Sequence, residues 1–406
     1  MMAKEKGNFL SVLRCAVHHL PVQLTAPVDY KEILSLAAEQ NLQAVICEKL
    51  YESEDFRKSS LFNEAVSATI GIVGGQVSRT AAFLDLYRTI TDAGIRPIVM
   101  KGIICRQLYG ALHDHRPSGD EDILIKKEDF SKLRELMESS GYQMERDVIT
   151  DEELAAVQEV TFDNPSLGLH IEVHTNAIGL ESGIRRQMND YFKNVFDDMI
   201  PMEIQGTQVW TMSHTDHFLY LVLHAFKHLL SGGIGIRQTL DILMYDMTYG
   251  REIDQDYIVR CLRESDAELF YNDILEIGKR YLGFTPEKTT VPNCPEELLD
   301  DILSNGVFGN STQVLRTANS MTFAATQNRE NYHLFGAIFR AIFPRREFMI
   351  ASQPELVEKP WLLPVYWIKR FGRFFRYNKN NGGGLASESV KISRERIALL
   401  KKYGVL

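Results

Sequence analysis

Residues 118–125 read SGDEDILI, a stretch in which two aspartates one residue apart give way to an apolar, β-branched run. Such a run is typical of a buried strand. Alternate residues of a strand point to the same face, so Asp120 and Asp122 are expected side by side at its start. Like charges at that spacing need a cation, and Mg²⁺ is usually held by one or two carboxylates together with substrate phosphates. The stretch therefore predicts a strand that begins at a metal site.

A strand, a tight glycine turn and a helix precede this site. Residues 95–100 form a short β-type run, Lys101-Gly102 follows, and residues 103–112 have helical spacing. A helix N-terminus opened by glycine offers backbone N–H groups and a favourable dipole to phosphate. Lys101 would add a point charge. Alternatively, Lys101 is a surface lysine and Gly102 is an ordinary turn residue, and neither binds phosphate.

A β-hairpin is predicted downstream, after a charged amphipathic helix over about 127–140 that Gly141 closes. Its strands are Glu159 to Phe162 and Leu169 to Val173, and the turn residues Asn-Pro-Ser-Leu-Gly at 164–168 join them. Together with the strand at 118–125, these segments predict a compact α/β unit.

The second hairpin strand supplies a third acid. In the run LHIEVH at 169–174, alternation places His170, Glu172 and His174 on one face. Three acids on adjacent strands could hold two ions roughly 3.5–4 Å apart, an arrangement that activates an attacking oxygen and neutralises a leaving pyrophosphate. The pattern therefore predicts phosphoryl or nucleotidyl transfer, although acidic dipeptides near turns are also common on solvated surfaces.

These motifs resemble the uncharacterised bacterial nucleotidyltransferase family of the DNA polymerase beta superfamily. The resemblance rests on IVMKG at 98–102, LY at 108–109, RPSGDEDILI at 116–125, SGY at 140–142 and LHIEVH at 169–174. It implies an α+β fold in which a polymerase-beta-like α/β core with a mixed sheet is flanked by N-terminal helices and a larger C-terminal helical region. The chain departs from the family in having Glu121 at a position that is usually apolar, and in lacking the serine of the usual Gly-Ser phosphate turn.

The resemblance implies a reaction and a set of site residues. A nucleoside monophosphate would move from an NTP such as ATP to the hydroxyl of a small molecule, an RNA or a protein, with two Mg²⁺ ions, or Mn²⁺ in their place, as cofactors. The implied catalytic and metal-binding residues are Asp120, Asp122 and Glu172, and the implied nucleotide-binding residues are Lys101, Gly102, Arg116 and Ser118. The alternative is a catalytically inactive nucleotide-binding or protein-interaction module that retains the fold.

The helical half supplies candidates for an acceptor pocket. His224 and His228 stand four residues apart and share a helix face, a spacing that suits zinc, but no third ligand is identifiable. Pocket, core and surface roles therefore stay open for both. Arg237 and Asp241 are also four apart, which by itself predicts an intrahelical ion pair. The resemblance includes a helical H…R…D pattern here, and it implies an acceptor pocket of His174, His224, His228, Arg237 and Asp241.

The predicted organisation has four parts. An N-terminal helical region covers 1–93, the nucleotidyltransferase core covers 94–212, a helical domain covers 213–380, and a glycine-rich linker with a short tail covers 381–406. Ser213-His214-Thr215-Asp216 resembles a capping box at the start of the helical domain.

Composition limits the partners and the compartment. The chain has 406 residues and a net charge of −9, so it lacks the basic excess of a general nucleic-acid binder. Its five cysteines are scattered without a CxxC pair, which favours a reducing cytoplasm. We expect neither a signal peptide nor a transmembrane segment.

One stretch is locally basic. Residues 333–377 carry eight Lys or Arg against three Glu, interleaved with aromatic residues. This composition could serve an anionic partner: a membrane surface, an anionic acceptor or RNA. The alternative is a set of helices whose aromatics pack in the core while the arginines reach outward.

Overall fold

The computed structural model describes residues 4–145, 154, 159–178, 188–286, 291–305, 318–319, 321–322, 343–346, 349, 353–356, 358–380 and 385–406. The chain divides into two compact units. Unit 1 comprises Met1–His224 and Arg237–Val291, and unit 2 comprises Ala225–Ile236 and Pro292–Leu406.

Unit 1 begins with helices, as the sequence predicts. They are α1 (Lys4–Val17), α2 (Tyr30–Glu39), α3 (Gln43–Leu50), α4 (Glu54–Arg57) and the long α5 (Phe62–Asp92). The α5 helix stops just before Gly94, whose φ of +81° is a conformation that glycine adopts without strain. Its Leu86 and Ile90 are buried, which confirms that this helix turns an apolar face inward.

A mixed sheet follows, in agreement with the predicted α+β class. Its strands are β1 (Ile98–Val99), β2 (Glu121–Leu124), β3 (Gln143–Met144), β4 (Glu159–Asn164), β5 (Leu169–His174), β6 (Ile200–Ile204) and β7 (Thr207–Thr211). Their order across the sheet is β3-β4-β5-β2-β1-β7-β6. The pairs β2–β5 and β1–β7 are parallel, and the other neighbours are antiparallel. The two acid-bearing strands thus lie next to each other in the middle of the sheet.

The register of β2 against β5 decides which side chains meet. Asp122 is opposite Glu172, and Leu124 is opposite His174. The intervening residues Ile123, Ile171 and Val173 point to the other face, where they join a buried core with Phe83 and Tyr87 of α5. One face of the central strands is therefore apolar core, and the other carries the polar side chains.

Two helices connect the central strands. The α6 helix (Ile103–Gln107) follows β1, and α7 (Phe130–Ser139) follows β2. The helix predicted over 103–112 is shorter than expected, since α6 ends at Gln107 and the chain resumes as a 3₁₀ segment over Gly110–His115. The β4–β5 hairpin is confirmed, with its turn at 165–168.

The β6–β7 hairpin was not predicted from the sequence. Its two-residue turn, Gln205-Gly206, has φ values of +49° and +76°, the positive pair that a tight type I′ turn needs. Its second strand extends the sheet by pairing Thr211 with Val99 of β1.

Further helices complete the described chain. They are α8 (His214–Ser231), α9 (Ile236–Tyr249), α10 (Gln255–Glu264), α11 (Glu268–Ile277), α12 (Pro295–Asn305), α13 (Leu363–Asn380) and α14 (Leu385–Lys402). The predicted capping box precedes α8, because the Asp216 N–H donates to the Ser213 hydroxyl at 3.2 Å. None of the helices in the described ranges has the length and apolarity needed to cross a membrane.

Two predictions fall on parts of the chain that the structure describes incompletely. Of the predicted linker, residues 381–384 lie outside the described residues. Of the basic stretch at 333–377, residues 333–342, 347–348, 350–352 and 357 lie outside them as well.

Candidate functional site

Asp122 is the centre of the polar face. It is fully buried in β2, and Lys101 Nζ lies 2.9 Å from its Oδ1. His174 Nε2 lies 3.2 Å from the same oxygen. Among the described residues, Oδ2 of Asp122 has no hydrogen-bond partner. A buried carboxylate oxygen without a partner is costly, so this atom marks a place where a further cation or donor would be stabilised.

Glu172 and His174 complete a group that could hold a metal ion. The parallel register sets Glu172 beside Asp122, and His174 Nε2 lies 3.7 Å from Glu172 Oε2. Ligand atoms of Asp122, Glu172 and His174 all lie within 4.8 Å of one another. Two carboxylates and one imidazole form a donor set that suits a divalent cation.

The charges in this group shift one another's protonation. Burial opposes the charge on Lys101, but attraction to Asp122 raises its pKa well above the usual value. Burial would raise the pKa of Asp122, yet the Lys101 charge and the His174 hydrogen bond hold it below the ordinary range. Asp122 is therefore an anion at neutral pH and Lys101 is its cation.

His174 holds a proton at neutral pH, and Glu172 is partly protonated. Burial raises the pKa of Glu172 to about 7, against the lowering effect of the nearby His174. Burial disfavours a charged His174, but its hydrogen bond to Asp122 and its contact with Glu172 raise its pKa to about 9. Without a metal ion, protons on His174 and Glu172 balance part of the negative charge, and a bound cation would have to displace them.

The α8 helix brings two aromatic side chains to the same group. His224 Nε2 lies 3.4 Å from Lys101 Nζ, and the Tyr220 ring lies 5.3 Å from the His224 ring. Tyr220 is fully buried, its hydroxyl has no hydrogen-bond partner within the described ranges, and burial raises its pKa well above the usual value. The charges on Lys101 and Asp122 act on this phenol, so Tyr220 is a neutral donor near the carboxylates.

Glu121 serves the opposite face of β2. It is buried, and its Oε2 accepts a hydrogen bond of 2.7 Å from the Ile103 N–H at the start of α6. Its Oε1 accepts from Arg106 at 2.6 Å. The helix N-terminus that the sequence offers to a phosphate is thus capped by a carboxylate of the same chain, which suits the helix dipole equally well.

Gly102 makes this cap possible. Its φ is +61°, and a Cβ built there would lie 2.0 Å from Glu121 Oε2. Any other residue at this position would therefore be strained and would displace the carboxylate. The glycine is required here for the approach of Glu121.

A buried network extends from Arg106. Its Nη1 donates to Ser118 Oγ at 2.8 Å, and its Nη2 donates to Thr80 on α5 at 3.2 Å. The Ser118 N–H donates in turn to Gln76, also on α5, at 2.9 Å. This network joins α5, α6 and the loop before β2, and so fixes the strand that carries Asp122.

A second ion pair holds the loop before β2 from another side. Arg116 binds Asp241 of α9 through two hydrogen bonds, with Nε 2.8 Å from Oδ1, and Tyr109 donates to the same oxygen at 3.1 Å. Arg237 Nη1 donates to the Pro117 carbonyl at 2.5 Å. Asp241 therefore pairs with Arg116 rather than with Arg237 four residues before it.

The structure brings some of the predicted site residues together and separates others. One cluster contains Lys101, Asp122, Glu172, His174 and His224. Asp120 is partly exposed just before β2; it is not a member of the metal-capable group, and its charge acts on Lys101 and Arg237. Gly102 and Ser118 belong to the network around Glu121, and Arg116 and Asp241 form their own pair. His228 lies one helical turn after His224 and belongs to unit 2.

Sequence reasoning missed Arg106 and Tyr220 near the site, and it gave Tyr109 no role beyond its place in the LY motif. For Arg106 a signal was available, since an acid within a buried strand, Glu121, requires a buried cationic partner. Tyr109 and Tyr220 sit in helical or turn segments whose sequence gives no sign of their neighbours.

Comparison with known proteins identifies a family for most of the chain. The family model described as uncharacterised nucleotidyltransferase matches residues 26–283, which contain the sheet and the polar cluster. No curated protein and no solved structure matches the chain. The match covers more than half of the chain, so the protein belongs to the uncharacterised nucleotidyltransferase family. Membership confirms the resemblance and supports nucleotidyl transfer as the general class of activity.

Proposed function

We propose that this member of the family is a Mg²⁺-dependent enzyme that moves a nucleoside monophosphate from an NTP to an acceptor hydroxyl. One observation carries the proposal: Asp122 and Glu172 face each other across two parallel strands, beside Lys101, with an Asp122 oxygen that no described residue satisfies. Two adjacent carboxylates next to a lysine are what a metal-bound triphosphate needs.

In the proposed reaction the acceptor oxygen attacks the α-phosphorus. A bond forms between these two atoms, and the bond from the α-phosphorus to the bridging oxygen breaks, which releases pyrophosphate. The proton of the acceptor hydroxyl would pass to a base, for which Glu172 is the candidate. The oxygens of Asp122 and Glu172 would hold Mg²⁺ or Mn²⁺, with Asp120 as a further predicted ligand and His174 as a nitrogen donor. When bound, the ion supplies charge that lowers the pKa of the acceptor hydroxyl and neutralises the pyrophosphate.

The chain's own cations would orient the triphosphate. Without a metal ion, Lys101 neutralises Asp122. A divalent ion bound to Asp122 would take over this role and leave the Lys101 ammonium available to a phosphate oxygen. Arg237 is buried, and its Nε has no hydrogen-bond partner among the described residues, so it is a donor that a phosphate or an acceptor would satisfy. The Ile103 N–H is already bonded to Glu121, so we assign phosphate recognition to these side chains.

The experiment that tests this proposal measures metal-dependent nucleotide binding and turnover together. The wild-type chain is titrated with each of the four NTPs by calorimetry, with and without Mg²⁺, and pyrophosphate release is followed with candidate acceptors. The same measurements are made on Asp122→Asn. The matched control is Asp163→Asn, which changes an acid of the same sheet, on β4, that pairs with His170 of β5.

The expected result is NTP binding that requires Mg²⁺, that Asp122→Asn loses and that Asp163→Asn keeps. Binding that does not depend on Mg²⁺ or on Asp122, without product, would overturn the catalytic proposal. It would favour the inactive nucleotide-binding module, for which the internally capped α6 N-terminus is the supporting observation.

A further inference from the structure

The α13 helix in unit 2 differs in charge from the rest of the chain. Residues 359–380 contain six lysines or arginines and no acid, within a protein whose net charge is −9. Such a local excess of one sign is a recognition feature in itself, because the long-range field near the helix is positive whatever the sign of the whole protein.

Apolar side chains lie exposed along the same segment. Trp361 stands in the 3₁₀ turn Pro360–Leu362 directly before α13, and Val365 and Ile368 follow at intervals of four and three residues. Their exposed fractions are 69%, 44% and 73%. Val365 and Ile368, three residues apart, share one face of α13, and Trp361 is exposed directly before the helix; these three side chains are the apolar stripe.

The opposite side of the helix is held by unit 2 itself. Trp367 Nε1 donates to the Pro344 carbonyl at 3.0 Å, and the Trp367 ring packs edge-on against Phe343 at 5.4 Å. These contacts fix which face turns outward. The packing of Trp367 therefore leaves the apolar stripe exposed. A basic flank that includes Lys369 and Arg376 lies beside the stripe.

We propose that this segment, Trp361 to Arg376, is a docking surface for an anionic lipid bilayer, on which α13 lies in the plane of the interface. A helix that combines a Trp and aliphatic stripe with a purely basic flank matches a bilayer, whose acyl boundary takes the apolar side chains and whose headgroups take the cations. RNA would pair with the cations and stack on aromatics, but it offers nothing to exposed Val365 and Ile368. The aliphatic residues thus decide between the two partners.

The test is co-sedimentation of the full chain with vesicles of phosphatidylcholine alone and of phosphatidylcholine with an equal part of phosphatidylglycerol. We expect binding to the anionic vesicles only, weakening as salt rises. Val365→Ser and Ile368→Ser should each lower the partition coefficient roughly tenfold, as the loss of one buried aliphatic side chain implies. Lys369→Gln and Arg376→Gln should each lower it about fivefold.

Ile70→Ser is the matched control, because Ile70 is 67% exposed on α5 in unit 1, outside the proposed surface. It should leave vesicle binding unchanged. All variants alter exposed side chains, and circular dichroism would be used to check that each variant is folded.

A second readout reports on Trp361 directly. The chain has three tryptophans, and the indole of Trp361 is mostly exposed, so its emission should shift to shorter wavelength on anionic vesicles. Trp361→Phe should remove that shift.

Four outcomes would overturn the proposal. The first is no binding to anionic vesicles. The second is an equal loss of binding in Ile70→Ser and Ile368→Ser. The third is binding to a single-stranded RNA but not to vesicles, which would assign the surface to RNA. The fourth is a dimer in solution that Ile368→Ser abolishes, which would assign the surface to a second copy. None of these readouts uses an NTP or a transfer reaction, so the result is independent of the proposed transferase activity.

Discussion

Two neighbouring acids in β2 belong to two different environments. Glu121 and Asp122 are both buried, but they point to opposite faces of the sheet. Each oxygen of Glu121 accepts a hydrogen bond from α6, whereas Oδ2 of Asp122 has no partner in the described structure. The comparison teaches that burial of a charge does not identify a functional acid. What separates the two is whether the surrounding chain satisfies the carboxylate.

The largest expected effect comes from Asp122→Asn. The change keeps the shape and removes the charge that would hold a metal ion, so transfer should fall on the order of 10³-fold, or about 4 kcal/mol of activation free energy. Single-turnover transfer measures it, with thermal unfolding recorded on the same sample. Glu121→Gln is the matched variant on the other face and should change transfer by less than about tenfold. A similar loss in both variants would remove the distinction between the faces.

The next effect is on stability and tests the Glu121 face. Glu121→Leu leaves the Arg106 guanidinium buried without its counter-charge, so the free energy of unfolding should fall by about 3 kcal/mol. Urea unfolding measures it. The double change Glu121→Leu with Arg106→Leu should recover only part of that loss, because two apolar side chains replace a buried ion pair while the Ile103 N–H, Ser118 and Thr80 lose a partner. A double variant no more stable than Glu121→Leu would mean that these hydrogen bonds contribute as much as the charge pairing.

The third prediction concerns the affinity of the Asp122 face for a metal ion. Glu172→Gln removes one of the two carboxylates, so affinity for Mn²⁺ without nucleotide should fall roughly ten- to hundredfold. Electron paramagnetic resonance of free Mn²⁺ measures this without any reaction. Asp163→Asn, on the neighbouring strand, should keep the affinity of the wild type. An unchanged affinity in Glu172→Gln would take this residue out of the metal-binding group.

The smallest expected effect is on the pH dependence of stability, and it concerns His217, a buried neutral side chain with one ring nitrogen that lacks a hydrogen-bond partner among the described residues. His217 Nδ1 lies 3.1 Å from Thr211 Oγ1, Nε2 has no hydrogen-bond partner within the described residues, and burial lowers its pKa to about 3. The unfolded chain takes up this proton near pH 6.5 and the folded chain does not, so stability is complete above about 6.5 and declines by about 1.4 kcal/mol per pH unit as pH falls towards 3.

His217→Gln should remove this contribution. Urea unfolding at about pH 6 and pH 5 should give a smaller loss of stability in the variant than in the wild type, by about 1 kcal/mol. Equal losses would mean that His217 is protonated in the folded protein. It would then be a charged group, closer in kind to Asp122 than to a neutral core residue.

The local parts of the fold could be predicted from the sequence. Alternation in residues 169–174 and the turn at 164–168 predicted the β4–β5 hairpin, and Gly141 marked the end of α7. The order of strands could not be read, because it depends on pairings between distant segments. The Gln205-Gly206 hairpin shows a further limit, since its turn is marked by only one glycine.

The site was predicted in part. Alternation placed Glu172 and His174 on one face, but it did not tell that the parallel register would bring both to Asp122, so His174 was assigned to the acceptor pocket alone. The spacing of Arg237 and Asp241 suggested a helical pair, and the ion pair that forms joins Asp241 to Arg116 instead. A contact between residues so far apart in sequence cannot be predicted from the periodic spacing of residues along one helix or strand.

Gly102 also sets a rule for how this sequence can change over generations. A methyl group at position 102 would meet the Glu121 carboxylate, so an alanine there adds a collision to the strain of a positive φ. Once position 121 has become a shorter residue, the strain and a tight contact of 3.3 Å with the Asp120 carbonyl oxygen remain. The order of accepted substitutions is therefore fixed: position 121 must lose its long acid before position 102 can gain a side chain. Among descendants of this chain, Glu121 should be found only together with glycine at 102, while glycine at 102 tolerates many partners.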